Sequence, residues 1–141
     1  MDRETQRTID AVTVGDELGP ISIPVTLQRL VMEAGANRDF SLIHHDRDVA
    51  RATGAPDAYM NTFFIAGMFE RLLRDWMGHA GQLNRITNLR MKIFNSVGDT
   101  ASFAGRVAEV DGNTGQVVID LRGETEKGET VTATATVTLP R

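Results

Sequence analysis

The segment Asn61 to Met77, NTFFIAGMFERLLRDWM, has helix signals at both ends and no polar side through its first half. Asn61 or Thr62 can cap it, Glu70–Arg74 and Arg71–Asp75 sit at i,i+4, and Gly78 supplies the stop. Phe63, Phe64, Ile65, Met68 and Phe69 leave no polar face over the first two turns. A surface helix would show a stripe, so this one has to be enclosed by something else in the protein.

Beyond Gly78 the chain is strand-like almost throughout and can supply that enclosure. Leu89, Met91 and Ile93 alternate with Arg90 and Lys92, and a turn at Val97-Gly98-Asp99 leads to Thr100–Val110. Asp111-Gly112-Asn113 turns the chain into Gln116–Arg122, and Lys127-Gly128 into a last strand. There Val131, Ala133, Ala135, Val137 and Leu139 alternate with threonines. Such spacings describe an antiparallel meander. The regular threonine face reads as a solvated or subunit-facing sheet surface.

Ahead of the helix, Ile21, Ile23 and Val25 alternate as a short strand that Pro24 confines to an edge. Thr26 reads as the cap of a helix in which Leu27, Leu30, Val31 and Ala34 share a face and which Gly35 and Asn37 end. An irregular loop comes next, then a short helix over Asp48–Thr53, closed by Gly54, and a turn at Gly54-Ala55-Pro56-Asp57. With the N-terminal strand added, the expectation is an α+β fold in which a curved antiparallel sheet of about five strands wraps one long central helix. At 141 residues, with no linker or repeat, residues 1–141 read as a single domain.

Composition removes whole classes of function. A net charge of −4 and no basic patch argue against nucleic acid as a partner. The absence of cysteine removes disulfides, thiolate zinc sites and cysteine nucleophiles, and fits a reducing compartment. MDRETQRTID is polar where an export signal needs an apolar stretch, and the apolar run from Phe63 to Phe69 is far short of a membrane span. A cytoplasmic protein that does not span a membrane is expected.

Chemistry concentrates in Arg38–Asp48, RDFSLIHHDRD, where Asp39 precedes His44 by five residues. A carboxylate and an imidazole can share one water, the first taking its proton while the second orients it. The spacing alone favours a structural loop carboxylate with a partner histidine over a catalytic pair. His44, His45, Asp46, Asp48 and Asp39 also form a cluster of potential metal ligands, but neighbouring side chains diverge and the i,i+4 histidine pair is missing, so no metal is expected. Asp46 reads instead as the cap of the short helix. At the start of the long helix, the free N–H groups from Asn61 to Phe64 can hold a developing oxyanion, or simply be capped. His79, Trp76 and the methionines read as helix-end, core or interface residues. No glycine-rich nucleotide loop and no nucleophile elbow is present.

These residues resemble the MaoC-like enoyl-CoA hydratases and dehydratases of the hot-dog fold. The resemblance runs from Val14-Gly15-Asp16 through Asp39, His44, the Gly54–Asp57 turn and the central helix to the last strand. RDFSLIHHDRD, Asn61 and Asp75-Trp76 are closest to the small single-hot-dog subunit of heteromeric hydratases acting on steroid side-chain enoyl-CoA thioesters. The resemblance implies Asp39 as general base and His44 as a water-binding partner. It implies Asn61, Thr62 and Phe63 on the substrate side, with the Thr62 N–H facing the thioester oxygen. It also implies an acyl-CoA thioester as substrate, no cofactor beyond the CoA of that substrate, and a homodimer or a heteromer with a second hot-dog subunit. Ser41 and Leu42 stand where the family motif has Asn and Pro, Asn61-Thr62 where it has His-Gly, and Glu70 where some members carry serine. Three activities fit: hydration of trans-2-enoyl-CoA to (R)-3-hydroxyacyl-CoA, an acyl-CoA-binding or architectural subunit that needs a partner, and a hot-dog thioesterase.

Overall fold

The computed structural model describes residues 6–141; the polar N-terminal stretch read as unlike an export signal begins in residues 1–5, outside that range. After a 3-10 turn at Ile9–Ala11, strand β1 spans Glu17–Pro24. The Thr26 hydroxyl accepts the Arg29 N–H and opens helix α1, Leu27–Asn37. Leu30 and Ala34 are buried there and Leu27 packs against the core, but Val31 is exposed. The helix runs through Gly35, because its actual stop is Arg38, which takes a left-handed φ of 55°.

A second 3-10 turn, Leu42–His44, replaces the expected irregular loop, and helix α2 covers Arg47–Ala52. Helix α3 is Thr62–Met77, with Asn61 as its cap and Gly78 at its end. Strands β2 (Gln82–Met91), β3 (Thr100–Asp111), β4 (Gln116–Thr125) and β5 (Gly128–Thr138) complete the chain. The five antiparallel strands lie in the order β1-β3-β4-β5-β2. This is the expected hot-dog layout, a single sheet of five strands curled round α3.

The meander expectation holds for β3, β4 and β5 only. β2 pairs with β5 at the far edge, not with β3, which is already flanked by β1 and β4. Burial explains the placement. β2 buries no residue fully, carries two register breaks, and keeps Leu83, Ile86 and Leu89 only half covered. Such a strand suits an edge. β1 holds the opposite edge, as Pro24 required, and its register slips between Leu18 and Ile21.

The sheet turns its apolar residues toward α3: Ala101, Phe103 and Val107 on β3, Val117, Ile119 and Leu121 on β4, and Val131, Ala133, Ala135 and Val137 on β5. Phe69 of α3 meets Phe103 edge to face at 5.4 Å. Gly123 makes room for that pair, since a Cβ there would lie 2.6 Å from Val131 Cγ1 and 3.2 Å from the Phe103 ring. Ile65, Phe69, Leu72, Leu73, Trp76 and Met77 are buried on the helix side.

Enclosure of the first half of α3 is incomplete within one chain. Thr62, Phe63 and Gly67 are exposed, Phe63 by 64%, and the open stripe continues through Arg71 and Arg74. One sheet can cover one side of a helix; the overhanging segment from Arg38 to Met60 adds Ala50, Ala58 and Met60 to the same core. The stripe stays uncovered among the described residues.

Candidate active site

The end of α1 sets the first residue of the site. With Arg38 in the left-handed conformation, its N–H bonds back to the Gly35 carbonyl (3.2 Å) and the Asp39 N–H to the Ala34 carbonyl (2.9 Å). Paired bonds of this kind close a helix end and fix the residue beyond it. Asp39 therefore leaves the helix with a determined direction. Its Oδ1 accepts the Ser41 N–H at 3.3 Å, and its Oδ2 accepts from Asn61 Nδ2 at 3.1 Å.

The 3-10 turn delivers the second residue. His44 closes that turn and is 7% exposed, with Nε2 3.4 Å from Asp39 Oδ2 and Nδ1 2.8 Å from the Tyr59 carbonyl oxygen. A carbonyl can only accept, so Nδ1 carries the ring proton. A neutral His44 then turns its Nε2 lone pair toward the carboxylate. Two acceptors facing each other at this distance repel unless a proton or a water lies between them. A water donating one hydrogen to each would answer both and present its own lone pair outward.

Asn61 ties this pair to α3. Its side-chain oxygen accepts the Phe64 N–H at 2.7 Å while its amide nitrogen holds Asp39. The cap thus uses one of the free N–H groups expected at the helix start. The N–H groups of Thr62 and Phe63 have no hydrogen-bond partner among the described residues. They lie at the positive end of a 16-residue helix, where an oxyanion is stabilised. Asp39, His44, Asn61 and the Thr62–Phe63 backbone are therefore brought together. The Phe63 side chain points out, and with Phe40 and Leu42, 71% and 53% exposed, it leaves apolar surface around the site.

Other residues of RDFSLIHHDRD stand aside. Asp46 caps α2 through the N–H groups of Asp48 and Val49, and Asp48 pairs with Arg51. Among the described residues no three His, Cys, Asp or Glu side chains converge as metal ligands would. Of the cations available for CoA phosphates, Lys92 is paired with Glu129 and Arg85 reaches Thr136 Oγ1.

Two supports were invisible in the sequence. The Tyr59 carbonyl that sets the His44 tautomer is a backbone group with no residue signature, and the Tyr59 ring also meets His44 edge on at 5.2 Å. Asp57, read only as part of a turn, is 7% exposed and receives Arg47 through two bonds, 2.9 and 2.7 Å, and Arg51 at 3.1 Å. The Arg47 guanidinium, by hydrogen bond and charge, holds the Asp57 pKa down at about 2, although burial of the carboxyl acts to raise it. This clamp joins the His44–α2 segment to the Asp57–Asn61 segment. The Pro56-Asp57 pair and Arg47 in the overhang could have signalled it only once their contact was known.

No family model matches the chain. It is 34% identical over 110 residues to the 3-oxo-4,17-pregnadiene-20-carboxyl-CoA hydratase beta subunit of Mycobacterium tuberculosis, covering 78% of this chain and 83% of that protein. Among solved structures it superposes on a chain of the ChsH1-ChsH2 complex of the same organism with a TM-score of 0.85 at 31% identity, over 90% of this chain and 98% of that one. The (R)-hydratase of A. caviae involved in PHA biosynthesis gives a TM-score of 0.84 over 92% of this chain and 98% of that one, at 23% identity, a likeness of fold. No helix among the described residues is long and apolar enough to cross a membrane.

Proposed function

The chain belongs to the MaoC-like hot-dog hydratases, whose chemistry is hydration and dehydration of acyl-CoA thioesters, and from this premise we propose that it is one subunit of a heteromeric enoyl-CoA hydratase. In this reading it brings the water-activating pair to an assembly that is incomplete without a second hot-dog subunit. The observation that carries the reading is the Asp39–His44 contact. Tyr59 locks the His44 tautomer, and Asn61 fixes the carboxylate against the start of α3.

That arrangement supports the following chemistry. A water between Asp39 Oδ2 and His44 Nε2 directs a lone pair at C3 of a trans-2-enoyl thioester. As the O–C3 bond forms, Asp39 accepts the proton the water loses, and the electron pair of the C2=C3 bond moves into the thioester oxygen. The Thr62 N–H, with Phe63 beside it, supports that developing enolate. Return of the proton to C2 gives the 3-hydroxyacyl product, with the water's OH at C3 and its H at C2. Partner dependence rests on two observations: the open stripe over Phe63 and Gly67, and the relatives named as a beta subunit and as a two-protein complex. A steroid-derived acyl group of the kind in that relative's name is the first substrate to try.

The test is turnover of an enoyl-CoA by the chain alone and with its second hot-dog subunit. Activity is expected only, or far more strongly, in the mixture. Asp39→Asn and His44→Ala are expected to lower kcat by about 10²–10⁴-fold, the usual worth of general acid–base assistance, with the fold retained. Undiminished turnover by both variants within the assembled complex would make this chain architectural and place the chemistry on the partner.

A further inference from the structure

The outer face of the sheet, opposite α3, carries a groove of about 540 Å³. Its floor comes from the threonine row of β5. Val131, Ala133 and Ala135 are buried in the core, so Thr132 and Thr134 between them face the other way. Register sets what stands on either side. Thr132 has Arg90 of β2 and Arg122 of β4 as its direct neighbours; Thr134 has Asp120 of β4, with Arg106 of β3 beyond it. Short side chains on the middle strand and long ones on its flanks make the groove.

Arg90 and Arg122 are two strand spacings apart, about 10 Å at Cα, so both side chains can reach over the hydroxyl between them. Cations placed so repel each other unless an anion joins them. Among the described residues none of the guanidinium groups of Arg90, Arg106 and Arg122 makes a hydrogen bond, and Arg90 makes no ion pair. The Glu17 carboxylate is stretched between Arg106 at 3.9 Å and Arg122 at 3.6 Å, too far to bond to either. Glu129, on the same lining, is engaged by Lys92. The donors that line this groove are thus unfilled.

We propose that the groove is a second ligand site, which takes a phosphate ester of a polyol: a sugar phosphate or a nucleotide. The phosphate sits over Thr132, with the Arg90 and Arg122 forks on either side and the Thr132 hydroxyl donating from below. Asp120, one row along, repels a second phosphate but accepts hydroxyls, and so favours a polyol next to the first. The site lies across the sheet from Asp39 and His44, and its ligand does not depend on the hydratase reading.

Calorimetry on the full chain tests this at low salt, where such contacts are least screened, with ribose 5-phosphate, AMP, inorganic phosphate and ribose. Both esters are expected to bind saturably and more tightly than inorganic phosphate, and ribose not to bind. AMP tighter than ribose 5-phosphate marks a nucleotide site; equal affinity marks a sugar-phosphate site. Arg90→Gln and Arg122→Gln are each expected to weaken both esters by about tenfold or more, as loss of a charged hydrogen bond does. Asp120→Ala is expected to remove the advantage of ribose 5-phosphate over inorganic phosphate. Arg141→Gln makes the same charge change beside Asn113, in the turn between β3 and β4, and is expected to leave binding as it was. No saturable binding of either ester, full affinity in either groove arginine variant, or an equal loss in Arg141→Gln overturns the proposal. So does an ester preference that survives Asp120→Ala.

Discussion

Asp57 lies outside the Asp39–His44 pair and ties together the two segments that flank it. Its folded-state carboxyl titrates near 2, below its ordinary value near 3.8, so the clamp contributes stability that is complete above about pH 4 and is lost as pH falls through about 2. Asp57→Asn is expected to remove most of that acid sensitivity and to cost on the order of 2 kcal/mol, as hydrogen bonds to charged groups do. Urea titrations of both proteins between pH 7 and pH 2 would show it; parallel pH profiles would contradict the assignment. Asn61 is the other such residue, serving α3 and Asp39 at once. Asn61→Ala is expected to cost about 1 kcal/mol as a lost cap and, in addition, to lower kcat by freeing the carboxylate; Asn61→Asp would keep the cap and repel Asp39. If Asn61→Asp is as active as the parent chain, the Asn61–Asp39 bond has no catalytic role. Asp39 and His44 were singled out in the sequence by side-chain type and by the family resemblance, and the structure brings them to 3.4 Å of each other. Tyr59 was not, since any residue supplies the same carbonyl.

Among the elements, α3 best shows the difference between local and tertiary information. Its start at Asn61, its stop at Gly78 and both of its charge pairs obey local rules. Its degree of enclosure does not, because that depends on how far the sheet and the overhang reach. Gly67 sits on the uncovered stripe, one turn from Phe63, and a Cβ there would meet nothing within 4 Å. Gly67→Ala is therefore expected to raise the stability of the isolated chain by about 0.4–1 kcal/mol through the unfolded state. If the bare backbone is there for close approach of a substrate or a second subunit, the same change lowers activity or assembly. Thermal melts of the chain beside turnover of the complex separate the two effects, and a variant improved in both would mean the stripe meets nothing. α1 makes the converse point: Gly35 looks like a stop, yet Arg38 is the residue that turns left-handed, and the position of Asp39 depends on that exchange.

For the whole molecule, the sheet has two unlike edges. β1 carries Pro20 and Pro24, which blunt it, whereas β2 is ten residues long without a proline. If the second hot-dog subunit pairs along β2, hydrogen exchange is expected to slow at β2 amides on mixing and to leave β1 unchanged; the reverse pattern, or no change in either, would place the partner elsewhere. The sequence revealed that β1 was an edge through its prolines. It did not reveal where β2 went, because alternation states which face is buried and is silent on neighbours. That crossing has a bearing on biosynthesis. β2 is made directly after α3, yet among the described residues its only neighbour in the sheet is β5, two strands later than the next one made. Until the ribosome has released β5, β2 has no strand among the described residues to lie against. β2 is thereby held in the sheet through β5, and damage to β5 would unseat β2 as well.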